Sequence, residues 1–462
     1  MSLNSFSFVL FMPFIVVIHF SLPRKARYIW LFFVNLFFYL SNDIRYIGGL
    51  LFCTATTYAA GLLLGKVKKN AGKVLAGLCI LANVLSLLFY RQSFVSPGFT
   101  PVGISFYTLQ AMGYVIDVYR GQLAAEKNPF RYAVFVSFFP TVLSGPIQRG
   151  NGLLRQLREG RDFDYAKARS GLYCLMWGYF LKIVMADSLA PMVTFAYDSY
   201  RSVPGAALLW ATVLYAVQLY CDFSGYSALA VGAGRLLGFD LGANFAQPYF
   251  ASSIKDFWNR WHISLSSWLR DYVYIPLGGN RKGKGRRYFN LMATFLVSGL
   301  WHGSGIQFIV WGLLHGSYQI LGSLAVGRQR KRTGPVLRVA GMIATFLLVD
   351  FAWLFFRSDS LEQALGILHQ IFFAFGFREM TYYGYYLLGG TRFNLIFVLA
   401  GVAIVFFVDF LHERRIYIEE TAGRRVNGVL RWIFYILLTL FLLLTVVRNY
   451  GETASAFIYE KF

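Results

Sequence analysis

Half of the six histidines in this 462-residue chain fall within one stretch, at His262, His302 and His315. His302 lies in an otherwise apolar region, with glycines around it from Gly299 to Gly305. Imidazole can exchange a proton near neutral pH, and polar groups at membrane depth usually face a cavity. The pattern predicts a broken membrane helix with His302 as the leading catalytic candidate. The alternative is a histidine that only hydrogen-bonds a carbonyl freed at the break.

The segment around His262 carries strong helix signals. Ser253 and Asp256 match the pattern of a helix start, and apolar residues then recur at steps of four and three, which predicts one helical face. These apolar positions are Ile254, Trp258, Trp261, Leu265, Trp268 and Tyr272. The other positions are too polar for lipid, so we expect this helix at a membrane interface or beside a polar cavity. His262 borders the buried face, where it either serves the chemistry or is satisfied by lipid headgroups or a carbonyl.

Two further polar residues interrupt apolar segments, at Asp222 and His315. A carboxylate inside a membrane helix needs a cationic or hydrogen-bonding partner. We interpret Asp222 as structural in preference to catalytic, because ion-pair networks mimic active sites. His315 follows His302 by thirteen positions, and on a continuous helix it would point to a largely different face. Its neighbours Gly312 and Gly316 favour a role in helix packing.

Several other kinds of site find no support in the sequence. The histidines do not match a zinc site, because no H-E-x-x-H occurs and carboxylates and thiols with ligand spacing are missing. The nucleophile motif G-x-S-x-G is absent, and Gly-Lys-Gly at 283–285 lacks the rest of a phosphate-binding loop. The four cysteines lie in apolar segments without a C-x-x-C, so we expect reduced thiols.

The elements that position these residues are predicted to be membrane helices. The chain is 57% hydrophobic and only 14% charged, and apolar runs of about 20 residues, enough to cross a bilayer, recur from end to end. The expected fold class is all-α: a polytopic membrane protein with about ten to twelve membrane helices plus re-entrant and interfacial helices. We expect residues 1–462 to form a single membrane domain, because no repeat or long linker interrupts them.

Run lengths give the candidate spans, of which several are short enough to be half-helices buried in protein. They are 6–22, 28–40, 44–65, 74–90, 101–119, 171–197, 206–233, 289–301, 305–326, 337–356, 393–410 and 432–448. Residues 131–148 have basic flanks on both sides and internal prolines, which favours a re-entrant pair.

The formal net charge is +22, from 44 basic and 22 acidic residues. The basic clusters, such as the loop Arg281–Arg287, alternate with apolar runs, so positive-inside topology explains them without a nucleic-acid partner. This rule places the basic loops in the cytoplasm and both chain ends outside it. The first apolar run carries its charges after it, which indicates a retained span and not a cleaved signal peptide.

Two sequence blocks carry a specific resemblance. The block QLYCDFSGYSALAVGAGRLLGFDLGANFAQPYFASSIKDFWNRWHISLSSWLRDYVYIPLGG, followed by VSGLWHGSGIQFIVWGLLHG, resembles the membrane-bound O-acyltransferase family. It looks most like the bacterial branch that supplies acetyl groups to alginate and other exported polysaccharides. The segments SFSFVLFMPFIVVIHFSLP, FVSFFPTVLSGPIQRG and FIYEKF are also similar to that branch, so the resemblance covers nearly the whole chain.

This resemblance implies a ring of tilted helices around a thin centre with a tunnel between the two membrane faces. It implies acyl transfer from a cytoplasmic thioester to a hydroxyl, with His302 essential and His262 as the second catalytic histidine. Residues expected to line or support the tunnel are Trp301, Asp222, Tyr226, Trp261 and His315.

The expected donor is acetyl-CoA or another acyl thioester, used as a substrate, with no bound cofactor. The expected partners are an exported polysaccharide as final acceptor, an extracytoplasmic SGNH-type acetyltransferase, and the bilayer of a bacterial inner membrane. Three alternatives remain open: D-alanyl transfer to teichoic acid from a carrier protein, a lipid or sterol acyltransferase, and a transporter or flippase without acyl chemistry. Broken helices with polar residues also suit a transporter, but no inverted repeat is visible.

Overall fold

The computed structural model describes residues 1–41, 43–91, 101–326, 334–379, 392–417 and 427–448. These residues form helices and no strand, so the all-α class predicted from the sequence is confirmed. The closing FIYEKF segment and most of the basic loop predicted at Arg328–Arg338 lie outside the described residues.

The helices occur in the following order along the chain. Before residue 240 they are α1 (Phe6–Ser21), α2 (Arg24–Leu40), α3 (Ile47–Leu64), α4 (Lys69–Arg91), α5 (Ile104–Tyr119), α6 (Pro129–Ser137), α7 (Phe139–Val142), α8 (Arg155–Glu159), α9 (Tyr165–Tyr179), α10 (Asp187–Asp198) and α11 (Gly205–Leu236). After it they are α12 (Ile254–Arg260), α13 (Ile263–Leu269), α14 (Gly283–His302), α15 (Ile306–Val326), α16 (Pro335–Arg357), α17 (Leu361–Phe373), α18 (Arg392–Glu413) and α19 (Gly428–Arg448).

Among the described residues, six helical segments are long and apolar enough to cross a membrane. They are Ile44–Leu64, Lys69–Arg91, Tyr165–Asp198, Gly205–Leu236, Pro335–Arg357 and Ile396–Glu413, with shorter apolar helices at Phe6–Ser21 and Tyr435–Thr445. On α1, the exposed Leu10, Phe14 and Val17 share one face at steps of four and three, as expected of side chains that meet lipid. The chain is therefore a multi-pass membrane protein, and the count of ten to twelve spans stays a prediction.

The centre of the fold is α11, which is 78% buried over its apolar window, against 28% for the peripheral α4. Glycines bring the backbones of α9 and α11 into contact at two places. A Cβ on Gly178 would lie 2.9 Å from the carbonyl oxygen of Gly225, and one on Gly171 would lie 2.9 Å from that of Gly232. Small residues of this kind let membrane helices approach closely. The close contact holds α11 in the interior, where it carries Asp222.

Asp222 belongs to a buried ion-pair cluster. The Nζ atom of Lys182 lies 2.7 Å from Asp222 Oδ1 and 2.8 Å from Asp187 Oδ1. The Lys182 side chain has no exposed surface, and it lies in a π-helical segment, Phe180–Ala186, that joins α9 to α10. The expectation that Asp222 needs a cationic or hydrogen-bonding partner is confirmed, and the partner is a cation. Lys182 itself was not identified from the sequence.

Residues 131–148 begin with α6 and continue as α7, and these two helices meet at Phe138. The break precedes Pro140. At the break, the Phe139 amide donates a hydrogen bond of 3.0 Å to Asn35 Oδ1. This geometry fits a re-entrant pair, which stays an interpretation.

The two helices on either side of His302 form an antiparallel hairpin, α14 and α15. The sequence predicted a basic loop through Arg287 and a short run from 289, but α14 begins at Gly283 and has 20 residues. At 1.5 Å per residue it is about 30 Å long, enough to cross the hydrocarbon core. The prediction was wrong because long basic side chains are good helix formers and extend to the interface.

Glycine makes the close approach of α14 and α15 possible. A Cβ on Gly312 would lie 2.6 Å from the carbonyl oxygen of Phe295, so only glycine lets the two backbones approach this closely. We expect Gly312→Val to lower the free energy of unfolding by about 1–3 kcal/mol, since overpacking forces the helices apart. Gly322→Val, on the same helix with open space around it, is the matched control. Thermal unfolding in detergent measures both, and equal melting temperatures would contradict the packing role.

Candidate active site

His302 is the last residue of α14, and only 3% of its surface is exposed. Its imidazole is enclosed by the rings of Trp301, Trp311 and Phe356, at centroid distances of 4.7, 5.0 and 5.1 Å. The chain leaves the helix at Gly303 and re-enters a helix at Ile306. The predicted helix break is therefore present, and the histidine faces the protein interior and not lipid.

Arg91, at the end of α4, holds the end of α14 in place. Its guanidinium donates to the carbonyl oxygen of His302 at 2.9 Å and also to that of Trp301. The last carbonyls of a helix have no partner within the helix, and a cation there also complements the helix dipole. Arg91 thus fixes the backbone that carries the catalytic candidate. The sequence analysis missed it, because more than 200 positions separate the two residues.

His262 lies at a break that the sequence analysis did not predict. The expected continuous helix from Ser253 is divided into α12 and α13, and His262 between them has a φ of 43°. The Ser253 cap itself is present, since its Oγ accepts from the Asp256 amide at 3.2 Å. The backbone beyond the break bonds to Asn244, whose carbonyl accepts from the amide of Ile263 at 2.9 Å. A left-handed conformation is uncommon for histidine and persists only when its surroundings hold it.

Trp301 contacts both histidines. The His262 ring is 6.1 Å from the Trp301 ring, which is in turn 4.7 Å from the His302 ring. On its other side His262 meets Phe223 of α11 edge-on, at 4.6 Å. Two histidines that lie 40 positions apart in the sequence thus contact the same tryptophan. Their catalytic roles stay predictions.

His315 joins the same aromatic cluster. Its ring lies 4.9 Å from Trp311, the ring that also contacts His302, and its Nδ1 accepts a hydrogen bond from Trp258 Nε1 at 3.3 Å. The spacing argument held only for a continuous helix and does not apply here, because the chain reverses direction after His302. An accepting Nδ1 leaves the proton of the neutral ring on Nε2.

The other predicted support residues lie further from His302. Trp261 packs against Trp353 at 5.0 Å, behind the aromatic cluster. The Tyr226 hydroxyl donates to Asn4 Oδ1 at 3.0 Å, and Asp222 pairs with Lys182. Asp222 therefore supports the site only through α11. In the part of the chain that the structure describes, no group of three or more histidine, cysteine or acidic residues could hold a metal ion.

A cavity of about 1180 Å³ runs along α14 below His302. Arg287, Leu291, Thr294 and Ser298 line it from one helical face, and Lys255 and Arg270 add positive charge to its wall. His302 lies one turn beyond Ser298 on that face, about 6 Å along the axis. Neither His262 nor His302 lines the cavity itself, so the expectation of one open tunnel past both histidines is not met by this cavity.

Ser298 is a second residue that the sequence analysis missed. It is 1% exposed, and its hydroxyl has no hydrogen-bond partner among the described residues. A buried hydroxyl without a partner costs free energy, which makes it a natural contact for a polar group that enters the cavity. The sequence could have identified Ser298 from its position four residues before His302, which places both on the same face of a helix.

Comparison with known proteins bears on this site. The family model for membrane-bound O-acyltransferases matches residues 125–358, just over half of the chain, a range that includes His262 and His302. A probable alginate O-acetylase of Pseudomonas syringae is 35% identical over 92% of this chain and 85% of its own length. A peptidoglycan O-acetyltransferase of Helicobacter pylori is 34% identical over 74% of this chain and 72% of its own.

A teichoic acid D-alanyltransferase of Bacillus subtilis is more distant, at 28% identity over 60% of this chain and 75% of its own length. The family match indicates an enzyme and counts against the transporter interpretation. The chain belongs to the membrane-bound O-acyltransferase family and is an O-acyltransferase of the branch that includes the alginate O-acetylases.

Proposed function

We propose that this enzyme transfers an acetyl group from a cytoplasmic thioester donor toward hydroxyl groups of an exported polysaccharide. The observation that carries the proposal is the cavity along α14, which leads from basic side chains at Arg287 to within one helical turn of His302. Positive charge at one end suits the phosphates of a donor such as acetyl-CoA. By the positive-inside rule that end faces the cytoplasm.

The chemistry needs a base and a guided approach, because a thioester is already an activated acyl donor. His302 removes the proton of the attacking hydroxyl, and the ester C–O bond forms as the C–S bond breaks. The same imidazole returns the proton to the departing thiolate, so the donor leaves as a thiol. The rings around His302 exclude water, which favours the neutral imidazole that can accept a proton and limits hydrolysis of the thioester.

His262 is proposed to stabilise the oxyanion that forms on the thioester carbonyl. It lies across Trp301 from His302, and its left-handed backbone is held by the segment around Asn244. A hydrogen-bond donor that is held in place before the reaction stabilises the developing negative charge without having to reorganise. Arg91 keeps the His302 backbone at the distance that this arrangement requires.

The names of the relatives support the kind of acceptor proposed for this enzyme. Their names specify alginate and peptidoglycan as acetylated polymers, which supports a carbohydrate hydroxyl as the final acceptor. We propose a bacterial inner membrane as the location and an extracytoplasmic SGNH-type acetyltransferase as the partner that completes transfer. D-alanyl transfer from a carrier protein is the alternative, supported by the more distant relative.

Sealed vesicles with the full-length protein in a known orientation test the proposal. Labelled acetyl-CoA is supplied on one face, with alginate oligosaccharides or peptidoglycan fragments on the other, and both glycan label and free thiol are measured. We expect thiol release only when the donor meets the face that carries Arg281–Arg287. Equal release from either face would contradict the sided mechanism. Activity only with a D-alanyl carrier protein would favour the alternative.

A further inference from the structure

The space beside the His302 imidazole is bounded by large side chains. Trp311 and Phe356 meet the ring edge-on, with interplanar angles of 83° and 75°, and both are buried. The two aromatic rings also contact each other, at 5.5 Å. Close-packed interiors make room for an extra group only at a cost. A group held against this imidazole must therefore be small.

The same two rings stand where the wide cavity ends. Trp258 lines the cavity and contacts Trp311 at 5.8 Å. On α16, Leu348 lines the cavity and Phe356 lies about two turns further along the helix. The wide part of the cavity thus accommodates a long donor arm, and the narrow region beyond it meets Trp311 and Phe356.

We propose that Trp311 and Phe356 form a size filter that restricts the transferred acyl group to short chains, with acetyl preferred. This inference rests on the proposed function and names the residues that select its donor. In the transfer the acyl C–S bond breaks, the ester C–O bond forms, and the hydroxyl proton ends on the released thiol. The acyl carbon reacts beside His302, and because these rings enclose its imidazole, an acyl chain longer than acetyl meets them. One methylene in an apolar pocket changes selectivity by about 10–200-fold.

Two variants enlarge the filter, and one matched variant does not. Phe356→Ala and Trp311→Phe each remove volume beside His302. Phe355→Ala removes the neighbouring ring of α16, which is also buried and packs against Phe351 at 5.6 Å. Phe356→Leu keeps most of the volume and serves if the alanine variant does not fold. All are assayed as full-length protein in vesicles, with acetyl-CoA and butyryl-CoA and with the matching N-acetylcysteamine thioesters.

The readout is thiol release that depends on His302, expressed as the butyryl-to-acetyl ratio of kcat/KM. We expect this ratio to rise at least about tenfold in Phe356→Ala and Trp311→Phe and to stay at the wild-type value in Phe355→Ala. An unchanged ratio in the first two variants, with acetyl transfer retained, would overturn the filter alone. An equal rise in Phe355→Ala would also overturn it, since general loosening would then explain the effect. If the wild type releases no thiol from either acetyl donor, the proposed function fails as well.

Discussion

Replacing His302 by alanine is expected to lower acyl transfer by about 10²–10⁴-fold, the usual contribution of a positioned acid–base group. The imidazole is enclosed by three aromatic rings, which cannot accept the proton in its place. The nearby side chains that could act as the base instead are His262 and His315. The truncation removes a ring but no hydrogen bond of the helix backbone, because Arg91 binds the His302 carbonyl and not its side chain. The protein should therefore still insert and fold.

The measurement is thiol release per folded protein, with folding checked by elution from a sizing column. His369→Ala is the matched control, since this histidine lies exposed on α17. Near-normal turnover in His302→Ala would remove His302 from the mechanism. An equal loss in both variants would point to a general defect and not to chemistry.

Replacing Lys182 by methionine is expected to destabilise the protein by about 3–5 kcal/mol, because it leaves buried carboxylates without their cation. Lys182 contacts both Asp187 and Asp222, and its side chain has no exposed surface. The cluster lies against α11, which also carries Phe223 beside His262. The loss should therefore affect both folding and the geometry of the site.

Two comparisons separate charge from volume. Adding Asp187→Asn and Asp222→Asn to Lys182→Met should restore most of the melting temperature, since neutral amides tolerate burial better than unpaired carboxylates. Lys167→Met is the matched lysine control: its pair with Asp240 is 3.6 Å long, the Asp240 side chain is 70% exposed, and ion pairs open to solvent contribute about 0–1 kcal/mol. If the triple variant unfolds as early as Lys182→Met, the ion pairs are not the cause.

Local features of the sequence were sufficient to predict the fold class and several helix boundaries. Long apolar runs require helices in lipid, because a bilayer satisfies no backbone hydrogen bond. The predicted run 305–326 is α15 almost to the residue, and Ser253 caps α12 as its motif indicated. The glycines around His302 marked the break between α14 and α15. In each case neighbours within a few positions determine the outcome.

The arrangement of the site depended on contacts between distant positions. Steps of four and three are the same in one long helix and in two short ones, so the apolar pattern could not show the break at His262. Residues near Asn244 hold that break from outside the pattern.

The partners of the buried charges and histidines also come from elsewhere in the chain. Lys182 neutralises Asp222 from another helix, and Arg91 binds the end of α14 from α4. The sequence by itself determined that this is a helical membrane enzyme with a histidine at a glycine-rich break. Only the tertiary structure decided which distant residues enclose that histidine. Packing and charge compensation act between segments that are far apart in the chain, and such contacts leave no periodic pattern in the sequence.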